Sequence, residues 1–392
     1  MLPTENTRIT TTSNTSLNHI SLSQQAPIKK VLVICPHRVN RSPGQRYRYE
    51  QYIPFLQQNG YQFEISNLLN EKDDKIFYSH GNYFKKFLIY LKTWRTRIKD
   101  WSRMNKYDLI FIYRDALITG STFFEKKFSR SKAKTIYDFD DAIWLQAVSA
   151  GNRRLAFLKN PGKTSKIIGL CDLIFAGNQF LANYALQFNK NVVIIPSTID
   201  MDLYKKAEEK NNNDKICIGW TGSPTTIRHF ITAIPVLKKI KEKFGDKVEF
   251  KIIGDKNYYC TELDTQGEAW AAATEVEDLS RLDIGIMPLP DDEWEKGKCG
   301  MKGLQYMGLG IPAVMSPVGA NLEIIQDGIN GYLPRTENDW FLSLSQLVED
   351  KMLREKIGSA GRQTVIGKYS TGVWRQTYLD HFNRLIASNK KI

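Results

Sequence analysis

Nine short apolar runs, most of them rich in β-branched residues, recur along the chain with amphipathic segments between them. This alternation restricts the fold more than any other feature. Five runs come first: KKVLVICP (29–36), YDLIFIYR (107–114), AKTIYDFDDAIW (133–144), CDLIFAGN (171–178) and NVVIIPST (191–198). Four follow: KICIGWTG (215–222), VEFKIIGD (248–255), LDIGIMPL (282–289) and IPAVMSPVG (311–319). Such runs read as buried strands, and strands that alternate with helices build parallel sheets. The polar stretch KKAEEKNNND (205–214) divides the two series and reads as a linker. The expectation is an α/β protein with two Rossmann-like domains, 29–205 and 206–370, facing each other across a cleft. A last helix within 371–392 is expected to cross back to the first domain. Ligands of such sheets bind beyond the carboxyl ends of the strands, so the cleft is the expected site.

A chain of 392 residues suits two cores. Residues 1–28 are polar and lack both the basic start and the apolar stretch of a signal peptide, so a disordered tail is expected. The five cysteines, at 35, 171, 217, 260 and 299, are odd in number and show no Cys-x-x-Cys spacing. That argues against a disulfide framework or a zinc site and for a reducing cytoplasm. No apolar run approaches the roughly 20 residues that a membrane-spanning helix needs.

The formal charge of +13 is unevenly spread. Between Phe84 and Lys106 there are eight basic residues and one acid, Asp100, giving 8 − 1 = +7. In the same window Phe84, Phe87, Leu88, Leu91, Trp94, Ile98 and Trp101 share one helical face. Two readings stand: a helix within 84–104 that lies on an anionic membrane surface, or a surface helix whose apolar stripe packs on the core. Nucleic acid is not expected as a partner, since no binding motif accompanies the charge.

Three clusters carry chemistry. The turn WTGSPTT (220–226) follows a strand and precedes a helix. There Gly222 and Ser223 allow close approach, Thr225 and Thr226 can cap the helix, and its first N–H groups can face an anion. In GKCGMKGLQYMGLGIPAV (297–314), Lys298 and Lys302 are four apart, so on a helix entry both ammoniums point the same way. Gly297, Gly300 and Gly303 leave room for a ligand beside them, the lysines suit phosphate, and Gln305 suits a sugar hydroxyl. In the first domain, Asp138, Asp140 and Asp141 close a strand at the cleft. They read either as groups that accept a proton or steady a cationic sugar, or as an Asp-x-Asp metal site. The loop after the first strand gathers His37, Arg38, Arg41, Arg46 and Arg48; His37, Arg46 and Arg48 are the candidates for acceptor contact.

The block LDIGIMPLPDDEWEKGKCGMKGLQYMGLGIPAVMSPVGANLEIIQDGINGYL (282–333) resembles the donor-binding core of family 4 glycosyltransferases, which have the GT-B fold. The likeness extends through CIGWTGSPTT, FKIIGD, DLIFAGNQFLANYA and VVIIPSTIDMDLY, over most of residues 30–370. It implies transfer of a sugar from a UDP- or GDP-linked donor to a glycan or lipid-linked acceptor, with retention and without a metal cofactor. It also implies a cytoplasmic enzyme, peripheral on the inner face of the membrane if the helix within 84–104 touches lipid. On this pattern Gln305 takes the place of the family's second motif glutamate, which holds the ribose. Gly297 takes the place of the first, so its contact with the donor sugar passes to Asp291, Asp292 or Glu295. Glu323 matches a glutamate that follows the family's Gly pair, or else it caps a helix. A nucleotide-sugar epimerase of the same fold and a non-catalytic polyanion-binding protein are the alternatives.

Overall fold

The computed structural model describes residues 27–145, 160–206 and 215–388. The expected tail up to residue 26 and the linker residues 207–214 lie outside the described residues.

The first lobe holds a six-stranded parallel sheet: β1 (Lys29–His37), β2 (Tyr61–Leu69), β3 (Leu109–Tyr113), β4 (Lys134–Phe139), β5 (Leu173–Ala176) and β6 (Val192–Ile194). Its order is β2-β1-β3-β4-β5-β6, so the switch point lies between β1 and β3. Every residue of β3 and β5 is buried, which explains their unbroken apolar sequences LIFIY and LIFA; β4 is equally buried but carries Lys134, Thr135 and Asp138. β2 was not expected. It is an edge strand, and YQFEISNLL mixes polar and apolar residues because only part of it is covered.

The second lobe holds β7 (Ile216–Thr221), β8 (Val248–Ile253), a small hairpin of β9 (Tyr259–Cys260) and β10 (Thr265–Gln266), β11 (Ile284–Met287) and β12 (Ala313–Met315). Its four-stranded parallel sheet runs β12-β11-β7-β8. The last helix, Thr371–Ala387, returns to the first lobe. Tyr378, Leu379 and Phe382 pack there with Val31, Val33, Phe111 and Phe175, and Asn383 Oδ1 accepts from Tyr61 at 2.8 Å. All five cysteines are buried, and none is in a disulfide.

The helix Tyr83–Arg103 is turned inside out relative to a surface helix with an apolar buried stripe. Its inward face carries Lys86, Ile89, Thr93, Arg97 and Asp100. Arg97 is fully buried because its guanidinium is satisfied: it donates to the carbonyl oxygens of Ala116 (2.6 Å), Cys35 and Ser66 (both 3.1 Å) and pairs with Asp100 at 2.8 Å. The stripe Phe84, Phe87, Leu88, Leu91 and Ile98 faces solvent, Phe84 with 73% of its surface exposed. Trp94 and Trp101 are half-buried against Phe123. The reading in which this stripe packs on the core is therefore corrected, except at the two tryptophans.

Candidate functional site

The two lobes meet where the segments that follow β1, β4 and β5 touch Glu275 and residues 296–305 of the second lobe. On the second lobe, β7 runs into a turn in which the Gly222 N–H bonds the Ile253 oxygen at 2.8 Å. Thr226 Oγ1 accepts from the Ser223 N–H at 2.9 Å, and Ser223 and Thr225 share a hydroxyl contact of 2.9 Å. The helix Ile227–Phe244 starts directly after Thr226.

Beside this turn stands the helix Met301–Gly308, entered through Gly300 at φ 66°. Lys302 lies on its first turn, with Nζ 5.8 Å from the centre of the Trp220 ring. Among the described residues it has neither a hydrogen bond nor an ion-pair partner. Burial, reinforced by the Lys298 charge, pulls its pKa from 10.5 down to about 8.

Lys298 is held differently. It pairs across the lobes with Asp141 at 2.9 Å and lies over the Trp294 ring at 5.2 Å. The two lysines therefore do not both face open space. The neighbouring glycines are also explained by protein rather than ligand. A Cβ on Gly297 would come within 2.7 Å of the Ala142 backbone in the first lobe. One on Gly300 would meet Ile324, and one on Gly303 would meet Met315. Segment 296–299 sits in a notch of the first lobe: Asn178 Nδ2 donates to the Lys296 and Lys298 oxygens (3.3 and 3.0 Å), and the Cys299 thiol donates to the Asp140 oxygen (3.4 Å).

The three strand-end aspartates separate into three roles. Asp138 is completely buried in an ion pair with Arg48, which is equally buried and also donates to the Ile195 oxygen. Neither can reach a substrate, so both the expected catalytic role of Asp138 and the acceptor contact of Arg48 are corrected. Asp140 accepts from Tyr113 Oη (2.9 Å) and from Arg114 Nε and Nη2 (2.9 and 2.7 Å). Burial alone would raise its carboxyl, but the Arg114 and Arg48 charges hold it below its ordinary value. It is a fixed negative charge and a weak proton acceptor. Asp141 is held by Lys298 and, at 3.7 Å, by Arg114. Each carboxylate has its own cation. Among the described residues no three His, Cys, Asp or Glu side chains gather into a metal site.

Gln305 is buried, donating to Tyr47 Oη (2.9 Å) and Tyr204 Oη (2.8 Å). The hub of this cluster is Glu275, which accepts from Tyr47 Oη (2.6 Å) and Trp270 Nε1 (2.9 Å) and pairs with Arg46. Arg46 thus belongs to the seam between the lobes, with its guanidinium 4.7 Å from the Tyr47 ring, and Gln305 is spent on protein hydroxyls. His37 Nε2 meets Tyr78 Oη at 2.9 Å. Burial, aided by Arg41, Arg114 and Arg38 and partly offset by Asp74, lowers its pKa to about 4, so the ring is neutral near pH 7. Asp292 caps the short helix Glu293–Lys296, accepting from the Glu295 N–H at 2.9 Å. Asp291 is exposed. Glu323 is also exposed, in the first turn of the helix Asn321–Ile324. Glu295 is fully buried, bonded to His229 Nε2 (2.8 Å) and Arg228 Nη2 (2.7 Å).

Sequence reasoning missed Arg114, Glu275, Tyr47 and Tyr204. The sequence signal for Arg114 was a cation closing the apolar run YDLIFIYR; the structure adds that it sits at φ 60°, where few non-glycine residues are found. Glu275 gives no local sign, since its partners come from both lobes.

Residues 215–350 match the family model described as glycosyl transferases group 1. No curated protein matches the chain. Among solved structures, the chain is similar to Anabaena Alr3699/HepE in complex with UDP and glucose, at 12% identity, covering 91% of this chain and 100% of that one with a TM-score of 0.64. It is similar to sucrose-phosphate synthase from Thermosynechococcus elongatus, at 11% identity, 92% and 100% coverage and a TM-score of 0.67. The same holds for a glycosyltransferase from Rickettsia africae, at 13% identity, 93% and 100% coverage and a TM-score of 0.65. These likenesses establish the architecture: two Rossmann-like lobes of the GT-B type.

Proposed function

We propose that the protein is a GT-B glycosyltransferase of family 4 that moves a hexose from a UDP- or GDP-linked donor to a glycan or lipid-linked acceptor, with retention. The observation that carries this is Lys302: an ammonium over the Trp220 ring that has no ion-pair partner among the described residues, inside the segment that matches the group 1 model. The donor diphosphate completes that ammonium. Ser223, Thr225 and the N–H groups that open the helix Ile227–Phe244 lie at the adjoining turn and take the remaining phosphate oxygens. Lys298 joins when the phosphate displaces Asp141 from it.

In the reaction, the acceptor oxygen forms its bond to the anomeric carbon as the bond from that carbon to the diphosphate breaks. The acceptor proton passes to the leaving diphosphate. Positive charge builds on the sugar in between. Asp140, kept ionised by Arg114, is the fixed charge that opposes it from the first lobe. No metal cofactor is part of this reading. Cytoplasmic placement and a role in polysaccharide or glycoconjugate synthesis belong to the same proposal; contact with the inner face of a membrane is a separate one.

The test is incubation with a panel of UDP- and GDP-sugars and soluble glycans, reading nucleotide release. Acceptor-dependent release that Lys302→Ala abolishes supports the reading. Conversion of a nucleotide sugar without any acceptor points instead to epimerisation. Absence of release and of nucleotide binding overturns it.

A further inference from the structure

We infer that the outer face of the helix Tyr83–Arg103 is a docking surface for an anionic phospholipid bilayer, and that the acceptor reaches the cleft from that bilayer. The helix presents Phe84, Phe87, Leu88, Leu91 and Ile98 to solvent, with 73, 55, 48, 43 and 47% of their surfaces exposed. They form one stripe about 20 Å long at 1.5 Å per residue. Such a stripe opposite a buried Arg97–Asp100 pair inverts the usual pattern for a helix on a soluble lobe. The inward side is anchored by buried polar bonds, and among the described residues no element covers the apolar side. Tyr83 and Phe123 extend the exposed patch at 44 and 39%.

Charge selects the occupant. Lys85, Arg95 and Lys99 are exposed within and along one edge of the stripe. Lys126 is exposed on the neighbouring helix Phe123–Ser129, and Lys127 lies 4.6 Å from the centre of the Trp101 ring. The one acid of the helix, Asp100, is buried. An apolar strip rimmed by cations and tryptophans matches lipid tails beneath anionic headgroups. Among the described residues no helix is long and apolar enough to cross a membrane, so the helix lies on the surface.

The patch also has a direction. The preceding helix, Glu71–Tyr78, ends in the half-exposed Tyr78, whose hydroxyl meets His37 Nε2 at the carboxyl end of β1. Lys86 Nζ donates to the Ser79 oxygen at 2.6 Å and fixes this corner. The stripe therefore starts beside the cleft. A lipid-linked acceptor can keep its hydrocarbon in the bilayer while its head group enters past His37. This second part rests on the glycosyltransferase reading; the lipid contact does not.

Vesicle co-sedimentation tests it, with phosphatidylcholine vesicles and with vesicles in which part of the lipid is phosphatidylglycerol. The full chain is expected to sediment with the anionic vesicles and to stay in solution with the neutral ones. Replacing Phe84, Phe87 and Leu91 by serine should weaken partitioning about a hundredfold or more, given the area each side chain would bury. The unfolding midpoint should not fall, because all three are exposed. A second variant, Lys85→Gln/Arg95→Gln/Lys99→Gln, should lose the preference for phosphatidylglycerol and keeps the test open if the serine variant misfolds. Wild-type protein that ignores anionic vesicles, or variants that sediment as well as wild type, overturn the inference. Nucleotide release with a water-soluble acceptor, measured on the same variants, should be unchanged. Vesicle binding without release in the wild type would remove the glycosyltransferase reading and leave the lipid surface standing. Release without vesicle binding would do the reverse.

Discussion

Lys302 offers the sharpest test, because burial has already set its energetics. Its pKa is lowered from 10.5 to about 8, first by desolvation and then by Lys298, with Glu295 and Asp141 partly compensating. At 1.36 kcal/mol per pH unit that drop corresponds to about 3 kcal/mol, and partial solvent screening reduces it to about 2. The sign follows from a base whose folded value lies below its unfolded one. Charging it opposes folding, the full penalty is present below about pH 8, and it fades as pH rises from about 8 to 10.5. Lys302→Met keeps the stem and removes the charge, so below pH 8 the variant should be more stable than wild type by about 2 kcal/mol in urea unfolding. The gap should close toward pH 10. Binding of the donor's nucleoside diphosphate should show the opposite preference. The anion restores the ammonium, so above about pH 8 each binding event takes up a proton and Kd weakens by up to about tenfold per pH unit. Phosphate itself, with a second pKa of about 6, is fully ionised there and does not mask the effect. Calorimetry in two buffers of different ionisation enthalpy reads the proton count directly. A Kd that stays flat through this range, or a Lys302→Met variant that is destabilised and binds nucleotide like wild type, refutes the reasoning.

Three further outcomes are expected. Arg48→Met strands the wholly buried Asp138 carboxylate and should lower stability by about 3–5 kcal/mol, with much of the loss recovered by Arg48→Met/Asp138→Leu; denaturant midpoints that barely move in the single variant contradict this. Gly297→Glu should suppress nucleotide release by about a hundredfold or more, because a Cβ there already meets Ala142; a gain in release would show that the notch can open. Asp141→Asn should tighten nucleoside diphosphate binding about three- to tenfold, since the donor no longer competes with a carboxylate for Lys298; weaker binding by calorimetry would mean that the pair organises the site instead.

The architecture was legible because parallel strands covered on both faces leave contiguous apolar runs, as in β3 and β5. β2 escaped because an edge strand has no such run. Within the site, Lys302 was legible as a cation in glycine-rich surroundings. The meaning of those glycines was not: an absent side chain does not say whether ligand or protein fills the space, and at Gly297 it is Ala142. Arg48 and Asp138 looked like two functional residues because their pairing joins positions 90 apart in sequence. The helix Tyr83–Arg103 carries a further lesson. Amphipathic spacing gives an axis, but the carbonyl oxygens that satisfy Arg97 decide which side points inward.

The returning helix Thr371–Ala387 bears on the order in which the protein matures during synthesis. Tyr378 donates to the Arg48 oxygen and stacks on Tyr52 at 4.1 Å, while Phe382 covers Tyr61, Phe63 and Phe111. Until those residues leave the ribosome, one wall of the first lobe stays bare although its strands were translated long before. The nascent first lobe thus waits, with aromatic surface open to chaperones or to neighbouring chains, for the whole second lobe to be made.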